Sequence, residues 1–206
     1  MTEVAASRRS RFTAERESEL YETVLELLGE VGYDGLTMDA VATRTRTSKA
    51  TLYRQWGGKV ELVVEAMRHK RPGVVADVDT GSLQEDFDVL LDRAAEDTME
   101  ETSSLMRGLA VAMHRHTDLG RVFRERILDV ELDAFQRVLR HAVDRGEIHA
   151  DNRALDHAAH MLLGALVARG LLEDLPPTRA FLRAYVDAVV LPVLLAPPPS
   201  RNSVTA

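Results

Sequence analysis

The stretch TSKATLYRQW, from Thr47 to Trp56, contains Lys49, Arg54, two aromatic residues and two threonines, but no acid. The 206-residue chain as a whole is acidic, with 26 Lys and Arg against 33 Asp and Glu and a net charge of −7. An acid-free segment in an acidic chain indicates a local surface that attracts a polyanion. Charge alone leaves open an ordinary solvated surface.

The stretch has two different sides when it is placed on a helix at about 100° per residue. Ser48, Leu52 and Trp56 fall on one side, which suits burial. The other side is small and polar, with Thr47, Ala50, Thr51 and Arg54, flanked by Lys49 and Tyr53. Small residues allow close approach to a surface, Arg reads guanine, and Lys neutralises phosphate. These properties are typical of a recognition helix in a major groove.

A second short helix precedes this one. Thr37 is placed to cap a helix from Met38 to about Arg44, and Ser48 is placed to cap the helix that ends at Trp56. Two short helices joined by a tight turn predict a helix-turn-helix.

The rest of the chain shows helical spacing of apolar residues, with no strand alternation and no internal repeat. The predicted fold class is all-α, with about nine helices in total. No cysteine is present, which excludes disulfides and thiolate metal sites. The first residues lack an apolar signal region and no run reaches about 18 apolar residues, so we expect a cytoplasmic protein without a membrane span.

Residues Gly32 to Val63, GYDGLTMDAVATRTRTSKATLYRQWGGKVELV, resemble the DNA-binding domain of TetR-family transcriptional regulators. The resemblance implies an all-helical homodimer with an N-terminal three-helix helix-turn-helix domain and a larger helical domain for effector binding and dimerisation. The expected organisation is a flexible basic arm (1–12), a helix-turn-helix domain (13–58), a ligand-binding and dimerisation domain (59–196) and a disordered tail (197–206).

The resemblance also implies roles for individual residues. The residues that we expect to face bases or the adjoining backbone are Thr47, Lys49, Ala50, Thr51 and Arg54. The residues that we expect to contact phosphates are Thr37, Arg46, Tyr53 and Lys59. Trp56 shares a side with Leu52 and is expected in the core.

The turn departs from the family pattern, which usually reads Ala-Gly-Val where this chain has Thr45-Arg46-Thr47. Glycine accepts a positive φ without strain, whereas an arginine in the same conformation is strained by about 1 kcal/mol. Either the turn differs here, or Arg46 tolerates that conformation and gains a phosphate contact.

The segments Arg153–Leu172 and Thr178–Leu195 are apolar around more of their circumference than one core-facing stripe requires. Two such helices from each of two subunits would form a symmetric four-helix interface, and plain burial within one domain is the alternative. The expected interface residues are Leu162, Leu166, Phe181, Tyr185 and Val189.

Candidates for lining an effector pocket are the methionine and aromatic positions of the second part and their neighbours: Met99, Met106, Met113, Phe123, Ile127, Phe135, His160 and Met161. Residues of these types at helical spacing also suit an ordinary core. Nothing in the pattern names the small molecule.

We expect no metal and no cofactor, because no HExxH, P-loop or GxGxxG motif occurs. The predicted function is a dimeric repressor released from a palindromic operator by a small-molecule effector, and not an enzyme. One alternative is an all-helical metal-dependent enzyme that uses His157 and His160. Another is a non-specific architectural DNA-binding protein.

Overall fold

The structure, a computed structural model, describes residues 13–70, 78–93, 105 and 108–197. These residues form nine helices and no strand, which confirms the predicted all-α class. They belong to two compact units, Met1–Lys70 and Arg71–Ala206. The expected basic arm (1–12) and residues 198–206 of the expected tail lie outside the described residues. Within the described ranges, no helix has both the length and the apolar character needed to cross a membrane.

Residues 13–70 of the first unit form four helices: α1 (Ala14–Gly35), α2 (Met38–Arg44), α3 (Lys49–Trp56) and α4 (Lys59–Lys70). Thr13, Thr37 and Ser48 each accept a hydrogen bond from the backbone N–H three residues further on, at 3.3, 3.1 and 3.1 Å. A cap of this kind contributes about 1 kcal/mol to stability. These three caps explain why the helices begin where they do.

Helix α1 is interrupted at Gly32, whose φ of 70° and ψ of 174° are not helical. The chain then makes one more turn to Gly35, and the N–H of Leu36 donates to the Gly32 carbonyl at 3.1 Å. Glycine reaches this conformation without a Cβ clash, which is why the interruption occurs there.

Helix α4 packs along α1 and belongs to the first unit. Its inner residues Leu62, Val63 and Ala66 have no exposed surface. The expected second domain begins at residue 59, whereas the contacts divide the chain after Lys70. The difference arises because α4 buries its apolar side against α1, a contact that local sequence patterns do not show.

The described residues of the second unit form five helices, two of which include a π-helical turn. Three of them are α5 (Leu83–Arg93), α6 (108–115) and α8 (Ala158–Leu172), and a 3-10 turn (Arg153–His157) precedes α8. Helix α7 consists of Thr117–Phe123, a π turn (Arg124–Leu128) and Asp129–Asp144. Helix α9 consists of Arg179–Tyr185, a π turn (Val186–Val190) and Leu191–Leu194. In the core of the second unit, Phe87 of α5 and Phe135 of α7 meet edge to face, with ring centroids 6.1 Å apart.

The Asp86 side chain is fully buried in the second unit. Asp86 accepts hydrogen bonds from the Thr80 N–H at 2.7 Å and from the Thr80 hydroxyl at 2.8 Å, and it pairs with the Arg145 guanidinium at 2.9 Å. Burial by itself would raise the pKa of Asp86, but these hydrogen bonds and the positive charge outweigh it and hold the pKa below its ordinary value. The pair joins the start of α5 to the end of α7.

Candidate DNA-binding surface

The third helix turns its two largest apolar residues inward. Leu52 has no exposed surface and Trp56 is 8% exposed. Lys49, Ala50 and Arg54 are exposed, as the helical wheel predicts. An α-helix with an apolar inner side and a row of small and cationic residues outside has the shape and charge that a major groove admits.

The first turn of α3 is held by Ser48. Its Oγ accepts from the Thr51 N–H at 3.1 Å and lies 2.8 Å from the Thr51 hydroxyl. Ser48 itself is exposed, although the wheel puts it on the same side as Leu52. The N-cap position explains this difference, because the capping residue lies outside the helix and does not follow its periodicity. Thr51 is half-buried, which leaves Ala50 and Lys49 as the more accessible residues of this turn.

The turn between α2 and α3 has the conformation of the family pattern, although Arg46 replaces the usual glycine. Arg46 has a φ of 51°, so it adopts the left-handed conformation that glycine favours. The N–H of Thr47 donates to the Ala42 carbonyl at 3.0 Å and the N–H of Arg46 donates to the Thr43 carbonyl at 3.3 Å. This pair of bonds is a Schellman motif with Arg46 at the position that usually carries glycine. The turn therefore keeps the expected geometry with a strained residue.

The basic residues of this region are less available than the sequence suggests. Arg44 makes a two-pronged ion pair with Glu30 at 2.7 and 2.9 Å. Lys49 Nζ lies 2.9 Å from Asp39 Oδ2, and this hydrogen bond raises the pKa of Lys49. Within the described part of the chain, Arg46 and Arg54 make no ion pair. Arg54 is therefore an exposed cation on α3 that is free to contact DNA.

Lys59 has a structural role that sequence reasoning missed. Its Nζ donates to the carbonyls of Tyr33 and Leu36 at 2.7 and 2.9 Å, and it lies 4.1 Å from the centroid of the Tyr33 ring. Burial lowers the pKa of Lys59, and the Asp34 carboxylate opposes that shift. Since an ammonium has three N–H groups, one remains for a phosphate. The phosphate role of Lys59 stays a prediction beside this observed one.

Two other predicted phosphate contacts have the required exposure. Tyr53 is 46% exposed, and Thr37 is an exposed capping residue at the start of α2. The Thr37 hydroxyl oxygen accepts from the Ala40 N–H, so its own O–H is free to donate. Both positions are compatible with the predicted phosphate contacts, which stay predictions.

The C-terminal end of α3 is attached to α1 through Trp56. The indole Nε1–H donates to the Tyr21 hydroxyl at 3.0 Å, and that hydroxyl donates to Glu17 Oε1 at 2.9 Å. Burial raises the pKa of Tyr21 to about 12, while the bond from Trp56 opposes the shift. His69 of α4 packs its ring 5.0 Å from that of Tyr21. Trp56 lies in the core, as expected, but no sequence signal indicated Tyr21 as its partner.

The expected dimer residues lie partly within their own unit. Leu162, Leu166, Phe181 and Tyr185 are half-buried and pack against the core of the second unit, and Val189 is half-buried. A different apolar row of α8 is more exposed: Leu163 at 46%, Val167 at 66% and Leu171 at 81%. Sequence periodicity showed that α8 carries excess apolar surface, but it did not show which side the core would use.

The effector candidates are dispersed between core and surface. Phe123 and Phe135 are buried, Met113, Ile127 and Met161 are half-buried, and His160 is exposed. Met99 and Met106 lie outside the described residues. The exposure of His160 argues against its lining an enclosed cavity. The structure therefore does not define an effector pocket from this set.

His157 and His160 lie close together, with ring centroids 6.0 Å apart. Among the residues that the structure describes, no group of three His, Asp or Glu side chains could hold a metal ion. The metal-dependent enzyme alternative thus gains no support from the position of these two histidines.

Comparison with known proteins identifies the family. The profile "Bacterial regulatory proteins, tetR family" matches residues 20–66, and the profile "Tetracyclin repressor-like, C-terminal domain" matches residues 77–189. The chain belongs to the TetR family. TetR-family proteins bind operator DNA and dimerise, and the chain is accordingly a DNA-binding transcriptional regulator.

Related TetR-family proteins cover almost the whole chain. An uncharacterised HTH-type transcriptional regulator of Mycobacterium tuberculosis is 37% identical over 87% of this chain and 88% of its own length. The DNA-binding transcriptional repressor TetR of Mycobacteroides abscessus is 33% identical over 88% of this chain and 95% of its own. A crystal structure of a TetR family transcription regulator has a TM-score of 0.64 and 28% identity, covering 89% of this chain and 100% of that one.

Proposed function

We propose that this TetR-family protein is a dimeric repressor that binds a palindromic operator and leaves it when a small molecule binds. The observation that carries the proposal is the outward row of α3, with Lys49, Ala50 and Arg54 exposed over a buried Leu52. The relative from Mycobacteroides abscessus, named a repressor, supports the direction of regulation. We place this activity in the cytoplasm, where the DNA of a bacterial cell lies.

The residues of the first unit take two kinds of role in this proposal. Arg54 and Lys49 read base edges, with Ala50, Thr51 and Thr47 allowing close approach of the backbone. Thr37, Arg46, Tyr53 and Lys59 hold phosphates and fix the orientation of the helix. Arg54 is the strongest candidate for base readout, because it is exposed and makes no ion pair among the described residues.

Dimerisation through α8 and α9 explains the apolar surface of the second unit. Val167 and Leu171 are more exposed than a core-facing residue would be, and Gly164, on the preceding turn, has open space where a Cβ would lie. Two copies of these helices would form an isologous interface. In this arrangement the exposed row lies at the centre of the interface. The half-buried residues expected at the interface lie beneath this row or at its edge: Leu162, Leu166, Phe181, Tyr185 and Val189.

Release by a small molecule would follow from a change in the distance between two recognition helices. A palindromic operator requires them about 34–36 Å apart, in successive major grooves. A ligand that binds better to subunits at another spacing shifts the population away from DNA. The pocket candidates remain Met99, Met106, Met113, Phe123, Ile127, Phe135, His160 and Met161, with the buried aromatic positions favoured over His160.

The test is selection of bound duplexes from a random DNA pool, followed by a comparison of two arginine variants. Arg54→Ala should weaken binding to the selected duplex by about tenfold or more, the loss of one bidentate base contact, and should relax choice at particular base pairs. Arg121→Ala, in the second unit, removes the same charge and should leave both properties unchanged. Enrichment of no sequence by the wild-type protein would instead support a non-specific DNA binder.

A further inference from the structure

An acidic residue lies among the cations of the proposed DNA-binding surface. Asp39 is on α2 and its side chain is 73% exposed, while that of Lys49, the first residue of α3, is 49% exposed. Their charged atoms lie 2.9 Å apart. A carboxylate so placed repels phosphate, so its presence on a polyanion-binding surface needs a reason.

The pair joins the two helices of the helix-turn-helix. Lysine has a flexible four-carbon side chain, and fixing it in one conformation costs rotamer entropy. The hydrogen bond to Asp39 restricts that freedom before DNA arrives. Arg54, on the same helix, makes no such bond among the described residues and is held only by its own rotamer preferences.

We propose that Asp39 is a specificity-determining positioning residue, which directs Lys49 and selectively disfavours DNA that is not seated in register. This inference rests on the proposed function, because it assumes that α3 enters the groove. It goes further by assigning a role to a residue that the base and phosphate contacts do not require.

The selectivity comes from a difference between two complexes. In a non-specific complex, affinity depends on attraction to phosphates, so the Asp39 charge weakens binding and occupies Lys49. In the operator complex, Lys49 reaches its contact from a restricted set of rotamers, and the saved entropy offsets the repulsion. Asp39 therefore lowers affinity for random DNA more than affinity for the operator.

The experiment compares the wild-type protein with Asp39→Asn on two duplexes of equal length, one selected from the random pool and one of random sequence. At physiological salt, Asp39→Asn should raise affinity for the random duplex by about two- to fivefold, the effect of one exposed ion pair. The log–log slope of its affinity for the random duplex against salt concentration should steepen by about 0.9, since Lys49 gains a phosphate contact. Affinity for the selected duplex should change by less than about twofold.

Two further variants exclude simpler explanations. Glu22→Gln, on an exposed position of α1, changes the net charge by the same amount and should not alter the ratio of the two affinities. In a Lys49→Ala background, Asp39→Asn should change both affinities alike, because no lysine remains to be positioned. Trp56 fluorescence reports whether each variant keeps the fold of the first unit.

An unchanged affinity ratio in Asp39→Asn, in a protein that prefers the selected duplex, would overturn this inference and leave the proposed function standing. The same fall in the ratio in the Lys49→Ala background would also overturn it, since Asp39 would then act without Lys49. Failure of the wild-type protein to prefer any duplex would instead reject the proposed function.

Discussion

The indole nitrogen of Trp56 donates a hydrogen bond to the Tyr21 hydroxyl at 3.0 Å, which joins the end of the recognition helix to α1. The two residues are 35 positions apart, and their rings meet edge to face with centroids 6.0 Å apart. The orientation of the exposed row of α3 depends on this contact, because Trp56 and Leu52 are the buried residues of that helix.

Tyr21→Phe tests the contribution of this bond. The variant keeps the ring but leaves the buried Trp56 N–H without its acceptor, which should lower the free energy of unfolding by about 1–2 kcal/mol. Urea denaturation followed by fluorescence measures it, since Trp56 is the one tryptophan of the chain. Tyr53→Phe is the matched control, and its exposed hydroxyl should contribute less than about 0.5 kcal/mol. Equal losses in both variants would contradict the assignment.

Arg46→Gly should stabilise the first unit and weaken DNA binding. Glycine relieves the strain of a φ of 51°, worth up to about 1 kcal/mol, although its freedom in the unfolded chain offsets part of the gain. The same change removes a proposed phosphate contact and should reduce the salt dependence of DNA binding by about 0.9 in log–log slope. Thr45→Gly, at a φ of −85°, relieves no strain and should destabilise. A destabilised Arg46→Gly protein would show that Arg46 makes compensating contacts.

Asp86→Asn should destabilise the second unit in a pH-dependent way. At about pH 7 we expect a loss of about 2–3 kcal/mol, because the variant leaves the Arg145 charge partly uncompensated. The folded-state pKa of Asp86 lies below its ordinary value of 3.8, so its stabilising effect is present above that value and is lost as the pH falls through the folded pKa.

The difference between wild type and Asp86→Asn should therefore shrink on going from about pH 7 to about pH 3. Far-UV circular dichroism during urea denaturation measures it, since the tryptophan reports on the first unit. Asp133→Asn, at an exposed position of α7, should change stability by less than about 0.5 kcal/mol. A difference that grew in acid would contradict the cause given for the lowered pKa.

Val167→Glu should disrupt the proposed dimer. Val167 is 66% exposed in the single subunit, and a symmetric interface there would bury two glutamates without partners. We expect the dimer dissociation constant to rise by at least about tenfold, measured by analytical ultracentrifugation. Val130→Glu, at a position 60% exposed on α7, is the matched control and should leave the dimer intact. An intact Val167→Glu dimer would exclude this side of α8 from the interface.

Much of the fold follows from local signals. Thr37 and Ser48 begin their helices as predicted, since a cap bonds to a backbone group only three residues away. The inward direction of Leu52 and Trp56 also follows, because it depends on a period of 3.6 residues. The sequence by itself therefore determined the helices, the family and the outward row of α3.

The tertiary structure decided how the charged and polar side chains are used. Lys59 bonds to carbonyls 23 and 26 positions earlier, Lys49 pairs with Asp39 ten positions earlier, and α4 joins the first unit through its contact with α1. None of these choices has a local signature, because a long cation reaches several partners and only the packing of helices selects one. Tertiary packing also retains Arg46 in a conformation that its own side chain disfavours, since the helices on both sides of the turn fix its backbone.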